Sequence, residues 1–140
     1  MKILAAVDGS PYTKRMLAYL AAHDEWLGAA HEYTLLTAVN ALPARAVSAL
    51  DKATIKGFYD ETAEKVFKPL RSFFEKQRIK ASFVGKVGPA AEVIADFATK
   101  GGYDLIVMGS HGHGTLANLV MGSVATKVLA NCGTPVLLIR

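Results

Sequence analysis

Apolar positions along the chain alternate between two spacings. Short, dense runs occur at residues 2–7 (KILAAV), 33–39 (YTLLTAV), 81–87 (ASFVGKV), 104–108 and 135–139. Runs of this length read as strands, and the nearly continuous ones as strands buried on both faces. Between them apolar residues recur at helical spacing. Met16, Leu17, Leu20, Ala21 and Leu27 follow Ser10, an N-cap type, and Pro11, suited to the first helical position, and Gly28 closes that helix. A long helix is predicted over 53–77, with Phe58, Thr62, Val66, Leu70, Phe73 and Phe74 along its apolar side and Pro69 expected to kink or split it. Gly88-Pro89 opens another helix whose Val93, Ile94, Phe97 and Ala98 face the core, and Gly101-Gly102 stops it. Residues 40–50, around Pro43, read as a connection. Strands alternating with helices predict an α/β fold: a three-layer, five-stranded parallel doubly wound sheet in a single domain, residues 1–140.

The richest chemistry follows the fourth run. Leu105-Ile106-Val107-Met108 leads into a loop carrying Gly109, Gly112, Gly114 and Gly122, and Ser123 then stands at or near the N-cap of a helix. Strand, glycine-rich loop and helix N-terminus together suit a phosphate, since glycines admit close backbone approach and the first helical turn offers free N–H groups. The spacing is G-x-x-G, nine residues, then G-S. It is not a Walker loop, for no Gly-Lys-Ser/Thr occurs. Residues 112–117 fit a loose G-x-G-x-x-A dinucleotide pattern by chance: they follow the fourth strand, and no acidic residue lies about 20 positions on.

Composition narrows the classes. Hydrophobic residues make up 51% and charged residues 20%, as in compact α/β proteins. No apolar run approaches the roughly 18 residues that would span a membrane, so no membrane partner is expected. The N-terminal residues read as a first strand, not a signal peptide. Cys132 is the single cysteine, which excludes an internal disulfide and makes a cytoplasmic location the simplest expectation. The net charge of +4 is compatible with an anionic ligand without demanding nucleic acid. Lys65, Lys68, Arg71, Lys76, Arg78 and Lys80 alternate with apolar residues and read as the solvated face of a helix and its exit.

The glycine loop resembles the ATP-binding signature of the universal stress protein family. Val7-Asp8-Gly9-Ser10 resembles that family's N-terminal signature, and residues 133–139 (GTPVLLI) its C-terminal strand. The resemblance implies the strand order 3-2-1-4-5 and an adenine nucleotide alpha hydrolase-like architecture, with a ligand where the order reverses, between the strands ending at Asp8 and Gly109. It implies ATP as cofactor, with Asp8 on the ribose or adenine, the backbone of Val7 and Ala38 flanking the base, and Met108 packing on the sugar or base. Gly109, Gly112, Gly122, Ser123 and Val124 supply phosphate donors. His111 is a further candidate phosphate contact. Mg²⁺ or Mn²⁺ is expected with the triphosphate, on phosphate oxygens. Many family members carry Arg or Lys where this chain has His113, which removes a fixed charge and predicts pH-dependent binding. The resemblance also implies a homodimer through the C-terminal strand, residues 136–139.

No Lys or Arg occurs in the loop before Lys127, so the expected role is a nucleotide-binding switch in a stress response, or at most a slow ATPase. In that reading residues 116–121 order around the phosphates and change the surface shown to a partner. A nucleotidyl-transfer enzyme and a dimeric partner-binding module without nucleotide are the competing functions.

Overall fold

The computed structural model describes residues 1–114, 118 and 120–140. Strands β1 (Lys2–Ala6), β2 (Glu32–Val39), β3 (Ala81–Val87), β4 (Leu105–Gly109) and β5 (Val136–Ile139) form one parallel sheet in the order β3-β2-β1-β4-β5, as expected. β1 is central, with Ala6 opposite Leu36 on one side and Met108 on the other. Both of its faces are covered, and Ile3, Leu4 and Ala5 are fully buried.

Alternation along β1 divides the core. Ile3, Ala5 and Val7 face a layer that contains Met16 and Leu20 of α1 (Pro11–Ala22) and Phe67, Leu70 and Phe74 of α4 (Lys52–Lys76). Leu4 faces the opposite layer, with Ile94 and Ala98 of α5 (Ala90–Gly101) and Ala125 and Val128 of α6 (Ser123–Asn131). The strand order reverses between β1 and β4, so the segments leaving these two strands diverge and open a crevice at their carboxyl ends.

The helices depart from the prediction in three places. The first helix stops at His23, whose φ of −125° and ψ of 43° are not helical, and α2 (Asp24–Leu27) restarts as a single turn. The His23 ring stacks on Tyr19 at 4.0 Å and Nδ1–H donates to the Tyr19 carbonyl at 2.9 Å, while Leu27 still reaches the core. Residues 40–50 contain a short helix, α3 (Ala44–Ala49), which buries none of its residues and so leaves no periodic signal. α4 runs unbroken through Pro69. Its stripe is Ala63, Phe67, Leu70 and Phe74, continued N-terminally by Tyr59; Phe58, one position off, is 46% exposed. At its start the Asp51 carboxylate accepts the Thr54 N–H at 2.6 Å, and that bond holds the carboxyl below its usual range. Ser123 stands beside the N-cap of α6, as expected: Gly122 is the cap and Ser123 the first helical residue. No helix among the described residues is long and apolar enough to cross a membrane.

Candidate functional site

A cavity of about 220 Å³ opens at the carboxyl ends of β1 and β4. Its inner wall is apolar, built from Ala6, Leu36, Ala38, Ile94 and Met108. Its outer wall is polar, with Asp8 on one side and the segment 109–114 and the start of α6 on the other. All ten residues singled out from the sequence line it: Val7, Asp8, Ala38, Met108, Gly109, His111, Gly112, Gly122, Ser123 and Val124. Ala38 reaches the cavity, whereas its neighbour Val39 turns into the core beneath the α1 and α4 layer.

The loop after β1 fixes the Asp8 carboxylate. Its Oδ1 accepts the Ser10 N–H at 2.9 Å and the Thr13 hydroxyl at 3.0 Å, and the Thr13 oxygen accepts the Asp8 N–H at 3.2 Å. With Oδ1 committed, Oδ2 is turned toward Gly112: a Cβ added there would lie 2.6 Å from it. Ser10 holds the N-cap position of α1 as expected, but its hydroxyl makes no cap bond. Ser10 Oγ is buried without a partner among the described residues, beside the cavity it helps to line.

The glycine loop is tied at both ends. Ser110 N–H donates to the Ile139 carbonyl of β5 at 2.8 Å, and Gly122 N–H donates to the Ser110 carbonyl at 2.7 Å. That second bond brings the start of α6 back against the end of β4. The approach requires glycine at 122, where a Cβ would meet the Ser110 carbonyl at 2.9 Å and His111 Cα at 3.1 Å. His113 crosses to the other wall, its Nε2–H donating to the Asp8 carbonyl at 2.6 Å. The His111 ring pairs Nδ1 with the Ser110 hydroxyl at 2.9 Å.

At the start of α6 the first intrahelical bond is Thr126 N–H to the Gly122 carbonyl, at 3.1 Å. The N–H groups of Ser123, Val124 and Ala125 precede it and have no intrahelical acceptor. All three residues line the cavity, and the positive end of the helix dipole lies with them. The arrangement thus offers an apolar slot, a carboxylate with one oxygen uncommitted, and a set of backbone donors suited to an anion. Among the described residues no group of three or more His, Cys, Asp or Glu side chains is disposed to hold a metal ion. A divalent cation entering with a phosphate ligand would therefore be held mainly by phosphate oxygens and water.

Sequence reasoning missed Ser10, Tyr12 and Thr13 as parts of the site, and Ala90 and Ile94 as its floor. Thr13 carried a faint signal, a hydroxyl in the first turn of a helix just after an Asp-Gly pair. The crossing of His113 to Asp8 carried none, since the two are 105 residues apart. The expected ordering segment 116–121 includes residues 116, 117 and 119, which lie outside the described residues.

Known proteins agree with this architecture. The family model described as the universal stress protein family matches residues 1–140. A universal stress protein of Thermus aquaticus is 33% identical over 138 residues, covering 99% of this chain and 97% of its own length. One from Synechocystis is 31% identical over 139 residues, and there the chain spans only 42% of the relative's length. Among solved structures, a universal stress protein from Lactobacillus plantarum superposes with a TM-score of 0.76 at 20% identity, covering 100% of this chain and 97% of that one. An Arabidopsis thaliana family member with AMP bound gives 0.70 at 14% identity, covering 99% and 90%. The Archaeoglobus fulgidus protein in complex with dAMP gives 0.65 at 21% identity, covering 100% and 98%. At these identities the solved structures speak to the fold, while the sequence matches extend over the whole chain, and the chain accordingly belongs to the universal stress protein family.

Proposed function

We propose that this chain binds an adenine nucleotide, ATP in particular, across the crevice between β1 and β4. The observation that carries the reading is the meeting of three N–H groups at the start of α6 with the Asp8 carboxylate around one cavity. The base enters the apolar slot, between the backbones of Val7 and Ala38 and against Met108. Asp8 Oδ2 accepts a ribose hydroxyl, an acceptor role that suits a carboxylate and repels phosphate from that wall. The phosphates then run toward the start of α6, along Gly109, Gly112, Gly122, Ser123 and Val124, with His111 beside them. Mg²⁺ or Mn²⁺ travels with the triphosphate. The AMP and dAMP held by two structural neighbours support the ligand class.

Binding is favoured over rapid phosphoryl transfer, because no lysine or arginine is found among the described residues that line the cavity. In this reading the nucleotide orders residues 116–121 and so alters the surface offered to a partner. The protomers pair through the outer edge of β5, whose single partner strand among the described residues is β4. The test is to heat-denature the purified protein and chromatograph the small molecules released, then to follow thermal unfolding with added Mg²⁺-ATP. An adenine nucleotide in the supernatant, or a raised unfolding temperature, is the expected result. Neither, in the same preparation, would leave the cavity to another ligand.

A further inference from the structure

The polar wall lacks a fixed positive charge within the glycine loop: its histidines are engaged, His113 with the Asp8 carbonyl and His111 with the Ser110 hydroxyl. α1 brings one from outside. Tyr12, in the first turn of α1, lines the cavity and packs so closely on β4 that a Cβ at Gly109 would lie 2.6 Å from Tyr12 Cβ. Its ring stands 5.1 Å from the His111 ring, tilted by 36°. The Arg15 guanidinium lies 4.8 Å from the centroid of the same Tyr12 ring. Arg15 is thus no farther from the His111 imidazole than these two distances laid end to end, a gap that a polyphosphate extending from the cavity mouth can cross.

Three ion pairs occur among the described residues, involving Lys56, Arg71 and Lys100, and none includes Arg15. It packs on an aromatic face, which holds a guanidinium by its quadrupole without neutralising it. A guanidinium is also weakly hydrated and presents a planar fork that matches phosphate oxygens. The enclosed cavity, about 220 Å³, is smaller than the roughly 300 Å³ at which ligand pockets usually begin. It suits the nucleoside end of a nucleotide and leaves the outer phosphates at the mouth, where Tyr12 and His111 stand, with Arg15 packed on the Tyr12 ring.

We propose that Arg15, parked on the Tyr12 ring, is a specificity-determining contact for the β- and γ-phosphates, so that the site distinguishes nucleoside polyphosphates from monophosphates. The proposal rests on the adenine-nucleotide reading of the cavity and adds to it a side chain outside the glycine loop. Tyr12 acts here as a positioning residue: it holds the guanidinium over the mouth and need not touch the phosphates.

The experiment is calorimetric titration of the wild-type chain and of Arg15→Gln, Arg15→Lys, Tyr12→Phe and Tyr12→Ala with ATP, ADP, AMP and adenosine at two salt concentrations. The expected result is a preference for ATP over AMP that shrinks about 3- to 10-fold in Arg15→Gln, as for loss of one partly exposed charge-assisted contact. AMP and adenosine affinities should be unchanged in that variant, and its ATP affinity should depend less steeply on salt. Arg15→Lys should recover part of the preference, Tyr12→Phe should keep it, and Tyr12→Ala should lose it. An unchanged ratio of ATP to AMP affinity in Arg15→Gln, with wild-type binding intact, overturns the role of Arg15 alone. Failure of the wild-type chain to bind any of the four ligands overturns the adenine-nucleotide reading and this proposal with it.

Discussion

Gly112 and Gly114 sit two positions apart in the same loop, yet alanine should be harmful at one and harmless at the other. At Gly112 a Cβ would lie 2.6 Å from Asp8 Oδ2, well inside the 3.4 Å at which ordinary contact begins, while at Gly114 none of the described residues lies within 4 Å. Relief at 112 has two routes. The Asp8 side chain can swing away, but Oδ1 then gives up its bonds from Ser10 N–H and the Thr13 hydroxyl. Bonds to a charged acceptor contribute about 1.5–3 kcal/mol each, and the lower end applies to a partly exposed carboxylate. Alternatively the loop withdraws, which breaks the His113 bond to the Asp8 carbonyl and draws the loop's N–H groups off the phosphate position. Either route removes at least one contact worth about 1.4 kcal/mol, or roughly tenfold in Kd for ATP. Gly112→Ala should therefore bind ATP about tenfold or more weakly than wild type in calorimetry, and Gly114→Ala within a factor of about two. Equal binding by wild type and Gly112→Ala, or equal loss in the two variants, would refute the inferred closeness of loop and carboxylate.

Two other outcomes are expected. Val136→Lys places a charge in the β5 edge strand and should halve the mass seen by light scattering; Ile139 is a poorer probe, being 7% exposed with its carbonyl accepting the Ser110 N–H. A variant that keeps the wild-type mass would put any interface elsewhere. Burial pushes the Tyr33 phenol from 10.0 up to about 12, and its hydroxyl donates to the Leu27 and Gly28 carbonyls. The folded state thus holds this proton more tightly than the unfolded chain, so its contribution is complete below pH 10 and lost as pH rises toward 12. Urea unfolding of wild type and Tyr33→Phe should give a stability difference that is flat below that window and narrows within it; a constant difference across the window would contradict the assignment.

The sheet was legible because its strands β1 and β4 are buried on both faces, and continuous apolar runs such as residues 3–6 and 105–108 have few other readings. The site was legible where backbone approach demands glycine, since Gly109, Gly112 and Gly122 leave a spacing in the sequence. What escaped depends on contacts between distant segments or on phase. The predicted stripe on α4 holds at Val66, Leu70, Phe73 and Phe74 and misses at its start, because Phe58 and Tyr59 are both aromatic and periodicity alone does not choose between neighbours. The break at His23 was masked because Leu20 and Leu27, on either side of it, both reach the core. α3 buries nothing and so leaves no pattern. Tyr12 and Arg15 read as ordinary residues of a first helix, and only the closeness of that helix to β4 brings Tyr12 to the cavity, with Arg15 on its ring.

The central claim is that backbone amides at the start of α6 gather a polyanion beside Asp8. Amide chemical-shift mapping by NMR during titration with Mg²⁺-ATP tests it most directly. The largest shifts should fall on Gly112, Ser123, Val124 and Ala125, with smaller ones at Val7 and Asp8. Shifts confined instead to the groove between α4 and β3, around Ile55, Tyr59 and Val87, would contradict it, as would no shift at all.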